Sequence, residues 1–141
     1  MKILVLAGGL SPERDVSMTT GSLVADALVS RGHEVCLCDL YTGRAFDGST
    51  PAFSTERISP LVVRRTQPDL EAVKAAAGLG DNRMGPGVMQ LCRQADVVFV
   101  GLHGDVGENG MLQAALDMAC VRYTGSDYIG SLLAMDKDLS K

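Results

Sequence analysis

The chain has 141 residues, with 13 Lys and Arg against 17 Asp and Glu, and so a formal net charge of −4. Hydrophobic residues at 46% and charged residues at 21% suffice for one buried core, which argues for a single folded domain and against extended disorder. An acidic balance without a block of like charge leaves no footprint for nucleic-acid phosphates or anionic lipid, the longest apolar run, Ile3–Ala7, is far short of the roughly 20 residues that cross a bilayer, and the start lacks a secretory signal, so no nucleic-acid or membrane partner and a cytoplasmic location are expected.

Lys2–Ala7 is rich in Ile, Leu and Val and ends on Gly8-Gly9, the pattern of a strand buried on both faces. Ser11 is placed to cap a helix with Pro12 at its first position. In that helix Val16, Thr20, Leu23, Val24, Ala27 and Leu28 recur with helical period and form the expected buried face, and Gly32 stops it. Glu34–Leu40 reads as a second strand, completing a βαβ unit whose strands should be parallel and whose crossover should be right-handed. From Tyr41 to Gly87 the signals conflict. Leu61–Arg65 suits a strand, Pro68–Ala77 suits a short helix, and glycines punctuate Gly78–Gly87, so a partly mobile excursion on the rim is expected.

Periodicity returns with a short helix over Val88–Gln94 and a third buried strand over Asp96–Leu102. Asn109 can cap a helix from Gly110 to about Cys120, with Leu112, Ala115, Leu116 and Ala119 on one face, and Val121–Thr124 reads as a short last strand. The alternation predicts an α/β fold: an open, mostly parallel Rossmann-like sheet with helices on both faces. Of the four cysteines, Cys36 and Cys38 flank Leu37 and should share one strand face. With Cys92 and Cys120 they form no C-x-x-C pair and read as reduced structural thiols. Neither His33 nor His103 has ligand-type residues at metal spacing, so no metal site is expected.

In open α/β sheets ligands bind beyond the carboxyl ends of the strands. Two loops lie there: Gly8-Gly9-Leu10-Ser11-Pro12-Glu13, and His103-Gly104-Asp105-Val106-Gly107-Glu108-Asn109-Gly110. Neither fits the dinucleotide fingerprint or a P-loop. Glu13 suits the first turn of a helix on electrostatic grounds alone, and it equally suits a carboxylate that holds a substrate ammonium. His103 directly follows a buried strand and is either a ligand contact or a rim residue. Glu108 and Asn109 read as cap residues of the next helix, Asp136 as the cap of a last one, and Lys137 and Lys141 as solvated lysines.

Taken together, Gly8-Gly9-Leu10-Ser11-Pro12-Glu13-Arg14-Asp15-Val16-Ser17, Leu102-His103-Gly104-x-x-Gly107-Glu108-Asn109-Gly110-x-x-Gln113, Tyr123-Thr124-Gly125-Ser126 and Ala134-Met135-Asp136-Lys137 resemble, in order and spacing, the amino-terminal domain of the D-alanine–D-alanine ligases, ATP-grasp enzymes of peptidoglycan synthesis. The resemblance covers nearly the whole chain, residues 1–141, and implies a pre-ATP-grasp domain on the substrate side of the enzyme. In that family ATP and Mg2+ serve to phosphorylate one D-alanine, and the amine of a second attacks the acyl phosphate. By resemblance Glu13 holds the first D-alanine's ammonium, Val16 lies beside that substrate, His103 approaches its carboxylate, and Lys137 contacts the nucleotide, which makes Glu13 and His103 the catalytic candidates.

The central ATP-grasp and carboxy-terminal domains have no counterpart in the sequence. The isolated chain is therefore expected to bind ATP poorly and not to catalyse. A homodimer is expected by resemblance. Ligases joining D-alanine to D-lactate or D-serine share the pattern, and a free-standing α/β binding module of the same fold is the alternative from another class. The family more often has Asp where Asn109 stands, Gly where Asp127 stands, and a Leu-Gly-Ile-Pro-like run at Ala119-Cys120-Val121-Arg122.

Overall fold

The computed structural model describes residues 1–44, 51–63 and 66–138. Three strands, β1 (Lys2–Ala7), β2 (Glu34–Asp39) and β3 (Val97–Val100), form a parallel sheet in the order β2-β1-β3. The central strand pairs from Lys2 opposite Glu34 to Ala7 opposite Asp39 on one side, and from Ile3 opposite Val97 to Leu6 opposite Val100 on the other. Its apolar run is continuous because both of its faces are covered. Beside β3 the expected strand over Val121–Thr124 is reduced to one parallel bridge, Val98 to Tyr123. There the Val98 N–H donates to the Arg122 carbonyl at 2.8 Å, and the Thr124 N–H donates to the Val98 carbonyl at 3.0 Å.

Helices lie on both faces. One core gathers Leu4, Leu6, Cys36, Cys38 and Val98 with Val88, Leu91 and Cys92 of α3 (Val88–Gln94) and Leu112 and Leu116 of α4 (Met111–Met118). The other gathers Val5 and Val35 with Ala25 and Val29 of α1 (Arg14–Ser30). Cys36 and Cys38 do share a face, and all four cysteines are free thiols. No helix among the described residues is long and apolar enough to cross a membrane.

The first helix corrects the sequence expectation. Its buried residues are Ser17, Gly21, Ser22, Ala25 and Val29, whereas Val16 is 43% and Leu23 53% exposed and Ala27 is also outward. Of the expected face, Val24 and Leu28 pack against this core at its margin, but the centre of the contact is a different stripe, because α1 approaches β1 too closely for large side chains. A Cβ on Gly21 would stand 2.6 Å from the Ala7 Cβ, so small residues at i, i+4 and i+8 make the contact. The start of α1 also shifts. Ser11 accepts from the Glu13 N–H at 3.0 Å in a turn that precedes the helix, and Glu13 itself is the residue flanking Arg14.

Several of the described residues between Tyr41 and Gly87 are tied to the rest of the fold at named points. Tyr41 is fully buried and its hydroxyl donates to the Gly80 carbonyl at 2.8 Å. Ser54 bridges to Val35, Arg57 pairs with Asp26 at 2.5 Å, and the Leu61 N–H donates to Ser22 Oγ at 2.8 Å. The expected helix is α2 (Leu70–Ala77), capped by Asp69. Residues 61–63 form no strand, and residues 64–65 lie outside the described residues. The last helix, α5 (Tyr128–Met135), is capped by Asp127, whose carboxylate accepts from the Gly130 N–H at 2.7 Å. Asp136 follows α5 instead of capping its start.

Three outcomes follow from this packing. Ser17 is fully buried, accepts from the Gly8 N–H at 2.8 Å and donates to the Gly101 carbonyl at 2.7 Å; Ser17→Ala orphans both groups and should cost about 2–3 kcal/mol in a urea melt. Cys120 follows α4 at φ +54°, a conformation that strains any side chain. Cys120→Gly should therefore raise stability by about 0.5–1 kcal/mol in the same assay. Burial pushes the Cys38 thiol from its ordinary 9.0 to about 12 and the Cys92 thiol to about 11. The unfolded thiols ionise first, so stability is intact below pH 9 and falls as the pH rises toward 11–12. Thermal melts across that window should show the decline, and Cys38→Ala should flatten it.

Candidate functional site

Two loops meet at the carboxyl edge of the sheet. The first leaves β1 through Gly8-Gly9, turns at Ser11, and delivers Glu13 immediately before α1. The second continues from β3 through Gly101 and Leu102 to His103, then passes Gly104 at φ +69° and Asp105 at φ +43° into a single 3-10 turn, Asp105–Gly107, and reaches Glu108. Asp105 is a non-glycine residue in the left-handed region, held there while Arg83 pairs with its carboxylate and the Glu108 and Asn109 N–H groups donate to its carbonyl at 3.1 and 3.0 Å. Gln113 is 5% exposed, and its Nε2 donates to the Gly107 carbonyl at 2.8 Å, bracing the same turn from α4.

This folding brings Glu13, His103 and Glu108 together. One ligand atom from each lies within 4.8 Å of the others, with the two carboxylates exposed and the histidine half-buried. His103 Nε2 is buried without a hydrogen-bond partner among the described residues. Two exposed carboxylates this close together repel one another, and a cation placed between them would be attracted to both. A primary ammonium is compatible with that limit: two carboxylate acceptors each about 2.8 Å from one tetrahedral nitrogen stand about 4.6 Å apart. A metal ion with bonds of about 2.1 Å would hold its ligand atoms about 3–3.4 Å apart, a separation the same limit also admits.

The placement of each candidate is plain. Glu13 and His103, 90 positions apart in sequence, face one another. Val16 stands one helical turn after Glu13 on the same side of α1 and is half-exposed, as a wall residue beside that carboxylate would be. Lys137 is exposed in the turn after α5, between Asp136 and Asp138, and is not among the three grouped residues; Lys141 lies outside the described residues. Glu108 is the residue that sequence reasoning missed. It was assigned to a helix cap, but the side chain that accepts at the start of α4 is that of Asn109, from the Met111 N–H at 3.0 Å. The signal available was its place five residues after His103, at the far side of a turn with glycine at 104 and 107.

The chain matches the D-ala D-ala ligase N-terminus family over residues 2–126. It belongs to that family. It is 40% identical over 150 residues to the D-alanine–D-alanine ligase of Pediococcus pentosaceus, covering all of this chain and 42% of that protein. It is 37% identical to the ligase of Lacticaseibacillus casei, covering 100% and 41%. The chain thus spans about two-fifths of the length of these relatives. The D-alanine–D-alanine ligase of Bacillus anthracis, solved in complex with ATP, shares the fold at a TM-score of 0.59 and 22% identity, over 99% of this chain and 34% of that one. Family membership covers both loops of the site, since Glu13, His103 and Glu108 all fall within the matched residues.

Proposed function

We propose that this chain is the substrate-side part of an ATP-dependent D-alanine–D-alanine ligase of peptidoglycan synthesis, acting in the cytoplasm. The observation that carries the proposal is the convergence of Glu13, His103 and Glu108 at the carboxyl edge of the sheet. Glu13 and Glu108 accept hydrogen bonds from the ammonium of the first D-alanine. The His103 ring, whose Nε2 has no partner among the described residues, turns toward the substrate's carboxylate, and Val16 lies against its methyl side. The proposal includes a homodimer, supported by exposed apolar side chains such as Leu23, Val62, Ile129 and Leu132.

ATP and Mg2+ supply activation of the carboxylate in such ligases. The residues described here do not build a triphosphate site. Lys137 is one exposed cation flanked by two aspartates, and neither glycine loop has the phosphate-cradling pattern, so no step of phosphoryl transfer is assigned to this chain.

The test uses the protein expressed from its intact gene. Glu13→Gln removes the charge and keeps the shape, and the loss of a charge-assisted hydrogen bond is worth about 1.5–3 kcal/mol. D-alanine affinity, read by NMR titration, should fall about 10- to 100-fold while the thermal midpoint stays within a few degrees. Unaltered affinity refutes the assignment.

A further inference from the structure

On the side of α1 that faces β2, Arg14 and Asp39 form an ion pair with side chains only 13% and 10% exposed. Nη1 and Nη2 of Arg14 donate to the Asp39 carboxylate, and Nη1 also donates to the Gly9 carbonyl at 2.7 Å. Asp39 Oδ1 accepts from the backbone N–H groups of Gly9 at 3.3 Å, Tyr41 at 2.8 Å and Thr42 at 3.3 Å. Both polar groups of the Gly9 backbone are therefore held by one ion pair, and the turn after β2 is held by the same carboxylate. Gly8, at φ +74°, has no space for a side chain, because a Cβ there would stand 2.7 Å from that carboxylate.

A largely buried ion pair is a poor device for stability, since desolvating two charges offsets most of their attraction. What a planar, five-donor guanidinium supplies here is geometry, which an ammonium cannot reproduce. The residue before Arg14 is Glu13. Glu13 flanks α1 and its carboxylate groups with His103 and Glu108, so fixing Arg14 toward Asp39 fixes the backbone from which Glu13 extends to the loop after β3. Ser17, one turn on, binds the Gly101 carbonyl at the end of β3 and closes the other side.

We propose that Arg14 and Asp39 are positioning residues, fastening the Gly8–Glu13 loop to the end of β2 and so aiming the Glu13 carboxylate at His103 and Glu108. The inference rests on the D-alanine reading for its consequence in binding, but its structural half stands without any ligand.

The experiment has two readouts in the protein expressed from its intact gene, with Arg14→Lys as the main variant and Asp39→Asn as the second should the first unfold. The first is the backbone 15N order parameters of Gly9–Glu13 without ligand. They should drop from about 0.85 toward 0.6 in the variants while those of the strands stay high. The second is the ratio of D-alanine to L-alanine affinity by NMR titration. Stereoselectivity needs ammonium, carboxylate and methyl held in fixed relation, so it should fall about tenfold. A merely structural role would lower both affinities together and leave the ratio alone. A folded variant with parental order in Gly9–Glu13 and an unchanged ratio overturns the proposal. A parent protein that binds neither enantiomer overturns the substrate reading instead, and the order parameters then decide the positioning role by themselves.

Discussion

The close approach of α1 to β1 is the constraint on which the rest of the structure depends. Ala7 and Gly21 leave no room between them, and this brings Ser17 near enough to satisfy the Gly8 N–H and the Gly101 carbonyl with one hydroxyl. Those two groups lie just past the ends of different strands, and each begins one of the two loops that carry the grouped residues. A larger residue at position 21 would lift the helix, break both bonds and separate the loop carrying Glu13 from the loop carrying His103. The choice of small residues along α1 is thus a condition for the site as well as for the core.

The site concentrates cost in a few places. Two carboxylates are brought close together, a histidine nitrogen is buried without a partner among the described residues, and Asp105 occupies a backbone region that most side chains avoid. Each of these is unfavourable in the empty protein. Glu13, His103 and Glu108 are grouped around one small volume, with Asp105 in the turn between the latter two, and a site for a cation and a carboxylate as proposed above would need such groups left unsatisfied by one another. The compensation lies outside that volume, in the Arg83–Asp105 pair, the Gln113 bond to Gly107 and the Arg14–Asp39 pair.

Strands were legible because burial on both faces writes itself as an unbroken apolar run. Lys2–Ala7 is found with its expected bounds, Glu34–Leu40 ends one residue early, and Asp96–Leu102 keeps its centre, with the Asp96 and Gly101 N–H groups still donating to β1. The helix over Val88–Gln94 also matches. The face of α1 was legible only at its margin, where Val24 and Leu28 pack, because an apolar pattern reports hydrophobicity while the central contact selects size. Between Tyr41 and Gly87 only the helix over Leu70–Ala77 was legible, for a different reason: other described residues there are placed by tertiary bonds to distant residues, such as Tyr41 to Gly80 and Arg57 to Asp26, and local sequence carries no trace of them. Glu13 and His103 stood out by their place after strand ends. Glu108 did not, since its role arises only when two loops meet.

The positions at which the sequence departs from the family's usual residues bear on how separable the site is from its scaffold. Asn109, where Asp is more usual, accepts the Met111 N–H at the start of α4 as either residue would. Asp127, where Gly is more usual, caps α5. Cys120, at the place of a glycine, adopts the left-handed conformation that a glycine would take without strain. All three are accounted for by helix termini, and none is among the grouped residues Glu13, His103 and Glu108. The strained Cys120 shows that the scaffold tolerates a local penalty at a helix end, where the backbone can be held by the Val121 N–H bond to the Leu116 carbonyl at 2.9 Å. No such latitude exists around Gly8 or Gly21, where an added Cβ would strike the carboxylate that holds the loop or the strand that carries it. Divergence at helix ends can therefore proceed while the geometry that joins the two loops stays fixed.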